Sequence, residues 1–148
     1  MAKLSAKDIM HPRVSVPAKE SGDGVVKRLM GSYTALPVVT DDLEVIGTVS
    51  EVDILDAVKE RRTIHEFSAE SIMSCGHAEH KQNVCKSPIT VKSDTPINDI
   101  VDMMYDNDLS ILPVVDETRL IGLISRKSII NAMAEKGFWP EEDFQKRV

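Results

Sequence analysis

An internal repeat governs what this chain can fold into. Val14-Ser15-Val16 returns as Ile89-Thr90-Val91, Leu36-Pro37-Val38-Val39 as Leu112-Pro113-Val114-Val115, and Ile46-Gly47-Thr48-Val49-Ser50 as Ile121-Gly122-Leu123-Ile124-Ser125. The second set follows the first by 75, 76 and 75 positions, so one residue is gained before the Leu-Pro and one is lost in the next turn. A period of this length marks a duplicated supersecondary unit. Three short strands and two helices cannot bury both their faces alone, so the two copies are expected to pack on each other.

Each copy reads as strand, helix, two strands joined by a polar turn, and a second helix. In the second copy Thr95 is placed to cap a helix with Pro96 at its first position, and Ile97, Ile100, Val101 and Met104 then form one apolar stripe. In the first copy Val25, Val26, Leu29 and Met30 take the equivalent face, while Gly22 and Gly24 are expected to weaken the opening turn by about 1 kcal/mol each. Hairpins are expected around Asp41-Asp42 and from Asp116 to Arg119. The closing helices are expected to bury Val52, Leu55 and Val58 in the first copy, and Ile129, Ile130 and Met133 in the second. The fold class is therefore α+β, two pseudo-symmetric βαββα units packed through their sheets. Residues 7–60 form the first, 61–82 an insert, 83–135 the second and 136–148 a tail.

Composition narrows the function. The 148 residues carry 24 Asp and Glu against 18 Lys and Arg, and a net charge of −6 argues against a broad nucleic-acid-binding face. No apolar run is long enough to span a membrane, and the N-terminal segment lacks a secretory pattern, so a cytoplasmic protein with reduced cysteines is expected. The chain contains no P-loop, Gly-x-Gly-x-x-Gly, His-Glu-x-x-His or nucleophile elbow, and a non-enzymatic role is expected.

Ser50-x-x-Asp53 has two readings on its residues alone. It is a capping box, or it is an anion- and ribose-binding helix start, with first-turn amides for an anion and a carboxylate for two hydroxyls. The strand Leu-Pro-Val-Val and the segment Ile46 to Asp53, present in a duplicated frame, make the chain resemble a tandem CBS-domain pair (Bateman module). The module is named for cystathionine β-synthase and is also found in the γ subunit of AMP-activated protein kinase.

The resemblance implies a pseudo-twofold pair with two clefts, further homodimerisation into a disc, and an adenosine-containing regulatory ligand such as AMP, ADP, ATP or S-adenosylmethionine. No other cofactor is implied, and the regulated partner is unidentified. By the same resemblance Ser50 and Asp53 would work with Thr95, Ile100, Leu109, Ser110 and Ile111, while Arg126 and Lys127 match positions that contact phosphate. A second, weaker cleft would use Tyr33, Thr34, Ala35, Ser125 and Ser128. There Ser128 replaces the ribose-binding Asp, and Glu51 stands where Arg126 stands in the other. Thr34 occupies a position where some phosphate-binding relatives carry Arg.

The insert carries Cys75, His77 and His80, with Cys85 just beyond. Their spacing is not a recurrent zinc pattern, so a polar loop is preferred to a zinc site. Cys85 is aligned with Met10 as a small buried apolar residue. A metal- or redox-responsive protein built on these residues, or a dimerisation module with empty clefts, are the competing functions. Phe138 and Trp139 in the tail are read as an interface anchor or as folding back on the core.

Overall fold

The computed structural model describes residues 4–76, 85 and 87–137. The chain runs α1 (Ala6–Ile9), β1 (His11–Pro12), β2 (Val16–Pro17), α2 (Gly22–Leu29), β3 (Ala35–Val39), β4 (Val45–Ser50) and α3 (Glu51–Lys59). It continues through α4 (Ala69–Ile72), β5 (Val91–Lys92), α5 (Ile97–Asp106), β6 (Ile111–Asp116), β7 (Arg119–Ser125) and α6 (Arg126–Lys136).

The repeat is visible in the strand order. β2, β3 and β4 form one sheet, and β5, β6 and β7 form its counterpart, extended by β1 on the outer edge of β7. In each copy the first strand is parallel to the second and the second antiparallel to the third. Both hairpins break register at matching positions, Val38/Val39 and Val114/Val115. β-Branched and leucine side chains alternate onto buried faces here, which is why these runs extend rather than coil.

The copies share their interior. Ile111 and Leu123 of the second copy enter one core with Val16, Leu36, Val38 and Val49 of the first. Val39, Val45, Val115 and Leu120 close a smaller cluster at the hairpin ends. There the Val45 N–H donates to the Thr118 carbonyl at 3.1 Å and the Leu120 N–H to the Leu43 carbonyl at 2.8 Å.

The insert proves to be a structural counterpart of the N-terminus. Ser5-Ala6-Lys7-Asp8-Ile9-Met10 and Ser68-Ala69-Glu70-Ser71-Ile72-Met73 share Ser-Ala-x-x-Ile-Met. Each starts with a bridge, Ser5 to Pro96 and Ser68 to Ser21, and each forms one short helix. Each then lies along an outer strand, His11 beside Leu123 and Ser74 beside Thr48. A side chain at Gly122 would strike Met10, and one at Gly47 would strike Met73, so the two glycines are matched seats for two methionines. Met73, not Cys85, therefore takes the place of Met10. The N-terminal strap covers the second copy's sheet and the central strap covers the first copy's.

Four local expectations are corrected. Met30, expected on the apolar face of α2, is its C-cap residue and stands exposed. α2 begins at Gly22 with Ser21 as its cap, because Ile64 and Phe67 press on Gly22 so closely that no Cβ fits; the glycine permits packing rather than fraying. Pro96, not Thr95, is the cap residue of α5, and the Thr95 hydroxyl instead accepts from the Lys92 N–H at 3.1 Å. The closing helices bury Asp53 and Ala57 in α3, and Ser128 and Ala132 in α6. Val52, Leu55, Val58 and Ile130 face outward at 52, 66, 56 and 56% exposure, while Ile129 and Met133 are only partly buried. Small or polar side chains face the sheet, and the larger aliphatics stand outside.

A composite cleft between the copies

A cleft of about 290 Å³ opens where the first copy's sheet meets the second copy's first hairpin strand. Its first wall comes from the facing ends of β3 and β4, where Ala35 pairs with Ser50. Thr34, Thr48, Ser50, Glu51 and Val52 join Ala35 there. The Glu51 N–H donates to the Thr34 carbonyl at 3.0 Å, which fastens the start of α3 to the start of β3.

The second wall is the central strap. Ser74 and Thr48 exchange backbone hydrogen bonds, each at 2.8 Å, and the Gly76 N–H donates to the Ser74 hydroxyl at 3.3 Å. Gly76 has φ +105°, a conformation that a side chain would strain, and it sits against Leu109. The third wall, Asp108, Ser110 and Ile111, is the turn from α5 into β6. Five hydroxyl side chains, two carboxylates, a glycine, an alanine, a valine and an isoleucine line the space, a mixture suited to a ligand with an apolar plane and several polar groups.

Asp53 sits one layer behind, 2% exposed. Its Oδ2 accepts from the Ser50 N–H at 2.8 Å and from the Ser50 hydroxyl at 3.0 Å, while the Asp53 N–H donates back to that hydroxyl at 3.3 Å. The capping box is thus formed in full. Ser125 and Ser128 form the matching box at α6, with Ser128 Oγ accepting from the Ser125 N–H at 2.9 Å.

Of the residues expected to meet here, Ser50, Ser110 and Ile111 do. Thr34 and Ala35, assigned on sequence to the second cleft, line this one, because their strand is paired with Ser50; Tyr33 packs against the first copy's core. Ile100 and Leu109 belong to the second copy's core, and Thr95 lies in the turn before α5. Arg126 is drawn elsewhere: its Nε donates to the Leu109 carbonyl at 3.0 Å and its Nη2 to Asp108 at 3.2 Å. Lys127 is exposed and does not line the cleft. The basic pair expected to receive a phosphate is therefore absent from these walls.

Sequence reasoning missed Thr48, Val52, Ser74, Gly76 and Asp108 as lining residues, and Glu51, set on sequence against the second cleft, lines this one. Ser74 had a signal, since the repeated Ser-Ala-x-x-Ile-Met places it opposite Thr48 as His11 is placed opposite Leu123. The expectation of reduced thiols is also overturned. Cys75 and Cys85 form a disulfide, with Cα atoms 5.0 Å apart, beside the Ser74 and Gly76 wall. The Ile89 N–H donates to the Cys75 carbonyl at 3.1 Å and draws the two segments together. His77 and His80 lie outside the described residues, as do Phe138 and Trp139. Among the described residues no group of three or more His, Cys, Asp or Glu could hold a metal ion.

Outside this cleft, a groove between α5 and α6 is lined by Val101, Met104, Tyr105, Ile129 and Ile130 together with Asp108 and Arg126. Among the described residues no helix is long and apolar enough to cross a membrane.

The family model described as CBS domain matches residues 6–60 and 83–135. Over 122 residues the chain is 30% identical to a homoserine O-acetyltransferase of Methanosphaerula palustris, covering 80% of this chain but 22% of that enzyme's length. Two solved structures share the fold. One is CBSX2, described in complex with AMP, with a TM-score of 0.74 and 23% identity over 91% of this chain and 99% of that one; CBSX2 is a protein of Arabidopsis thaliana. The other is the CBS domain pair of MJ0100 with 5′-methylthioadenosine and S-adenosyl-L-methionine, with a TM-score of 0.69 and 22% identity over 91% and 99%. With two matched repeats, a shared interior and this fold, the chain belongs to the CBS-domain family and forms a CBS pair.

Proposed function

We propose that the protein is a non-enzymatic regulatory sensor that binds an adenosine-containing ligand, AMP, ADP, ATP or S-adenosylmethionine, in the composite cleft. The observation that carries this reading is the cleft itself, whose walls come from both copies and from the strap between them. A ligand there joins three segments distant in sequence. Ala35, Val52 and Ile111 offer apolar surface to a flat base, and the surrounding hydroxyls offer partners to a ribose. Asp53 would strengthen the ribose contact through Ser50.

The output runs through α3. Val52 lines the cleft, and Leu55 and Val58 follow it on the exposed part of the same helix. Leu55 and Ile130, and likewise Met30 and Tyr105, are equivalent positions of the repeat, and all four are exposed. Such a two-fold pattern of outward apolar groups suits a second copy of the chain, so ligand binding would shift a homodimer and, through it, a regulated partner.

Calorimetric titration of AMP, ADP, ATP and S-adenosylmethionine tests the reading. At least one should bind, and Ser110→Phe, which fills the cleft from the second copy's wall, should abolish binding while the protein still melts cooperatively. Binding by none of the four, or undiminished binding by Ser110→Phe, rejects it.

The disulfide favours a second reading, a redox-responsive protein. In a cytoplasmic setting a disulfide is the regulated rather than the resting state, and this one borders Ser74 and Gly76. A thiol reductant supplying two electrons and two protons would release that wall. Titrating the same ligands with and without dithiothreitol, in wild type and Cys75→Ser, checks it; identical affinities would reject it.

A further inference from the structure

The charge on the cleft walls decides which adenosine derivative fits, an inference that rests on the adenosine reading above. The lining carries two carboxylates, Glu51 and Asp108, from opposite copies, and no lysine or arginine among the described residues. Glu51 is the first residue of α3 and Asp108 belongs to the turn before β6, so they approach the cleft from two sides. Arg126 balances part of the Asp108 charge without itself lining the cleft, which leaves Glu51 as the main source of the sign. Its guanidinium is engaged by Asp108 and the Leu109 carbonyl and borders the outer groove between α5 and α6.

The helix N-terminus offers little to a phosphate either. In α3 the amides of Ser50 and Asp53 are bonded within the capping box, and the anion already seated at the positive end of the helix is the Asp53 carboxylate. A phosphate on the ligand's 5′ carbon would therefore meet like charge from Glu51 and, less strongly, from Asp108, whose carboxylate is paired with Arg126, with the Asp53 carboxylate behind Ser50. A sulfonium would meet the opposite sign at the same places.

We propose that this cleft selects sulfonium nucleosides of the S-adenosylmethionine class over adenosine 5′-phosphates, with Glu51 and Asp108 as the residues that set the preference. The neutral thioether 5′-methylthioadenosine falls between the two.

The test is calorimetric titration of the full chain with S-adenosylmethionine, 5′-methylthioadenosine, AMP and ATP, at low and high salt. S-adenosylmethionine should bind at least about tenfold more tightly than AMP at low salt, with the gap narrowing at high salt as the charges are screened. Glu51→Gln and Asp108→Asn should each shrink that ratio several-fold. Asparagine tolerates the positive φ of position 108, so the backbone is kept. The ratio is read within each variant, so a general loss of affinity cancels. AMP or ATP binding as tightly as S-adenosylmethionine overturns the charge selection and leaves the adenosine site standing. A ratio unchanged in both variants overturns the roles of Glu51 and Asp108. Binding by none of the four overturns the adenosine site itself, and this inference with it.

Discussion

Ser50 and Asp53 cap a helix beside the candidate cleft. Their box closes the start of α3 just behind the cleft wall. Losing a capping side chain costs about 1 kcal/mol, so Asp53→Ala should lower the unfolding free energy by roughly that amount, measured by urea titration. If the carboxylate also supports a ribose, adenosine affinity falls as well, and the two losses separate by calorimetry. The same geometry at α1 gives a pH signature. The backbone N–H of Ser5 donates to Asp8 and holds its carboxyl below the ordinary range. A depressed carboxyl stabilises the fold above its unfolded-state pKa, and the effect fades as the pH falls through the folded value. Wild type and Asp8→Asn should therefore melt apart at neutral pH and converge in acid.

The glycines of α2 reverse what propensity alone dictates. Alanine is the better helix former by about 1 kcal/mol, yet a Cβ at position 22 would collide with the Ile64 carbonyl and the Phe67 ring. At position 24 it would meet the flexible Glu20 side chain, which gives way at the cost of its ion pair with Arg28, a cost the better helix propensity of alanine offsets. Gly22→Ala should destabilise the protein clearly, while Gly24→Ala should stay within about 0.5 kcal/mol of wild type in the same urea titrations.

Among the elements, the central strap joins fold to site. It is fastened to Thr48 on one side and closed by the Cys75–Cys85 disulfide on the other. A crosslink between residues 10 apart in sequence is worth about 2–3 kcal/mol through the unfolded chain's lost entropy. Reduction should lower the melting temperature accordingly, and Cys85→Ser should melt like the reduced protein. Equal melting of oxidised and reduced forms would show that the crosslink adds nothing. The helices α3 and α6 are where periodicity misleads: both carry aliphatic residues at helical spacing, but the sheet takes Asp53, Ala57, Ser128 and Ala132. A stripe of large side chains at helical spacing marks a face that gets covered. It does not say whether the cover is the same chain.

For the whole molecule, the outward stripe predicts assembly. Met30 and Tyr105, 78 and 85% exposed, stand with Leu55 and Ile130 as the outer apolar set. Leu55→Glu and Tyr105→Glu should shift a dimer to monomer in analytical ultracentrifugation without loss of helicity; a wild type that sediments as a monomer refutes the dimer. The duplication, the hairpins, the α5 stripe and the family were legible in the residues themselves, because hydrophobic period and turn chemistry are local. The walls of the cleft were legible only in part. Ser50 closes a duplicated motif and Ser110 and Ile111 directly precede one, whereas Ser74 reaches the cleft only through its long-range pairing with Thr48. By itself the sequence determined that two like halves must bury one another, since neither has apolar surface enough to stand alone. Only the tertiary structure decided that Cys75 meets Cys85 and that Arg126 turns to Asp108 instead of the cleft. Strand register and the competition among charges for partners are properties of the assembled chain.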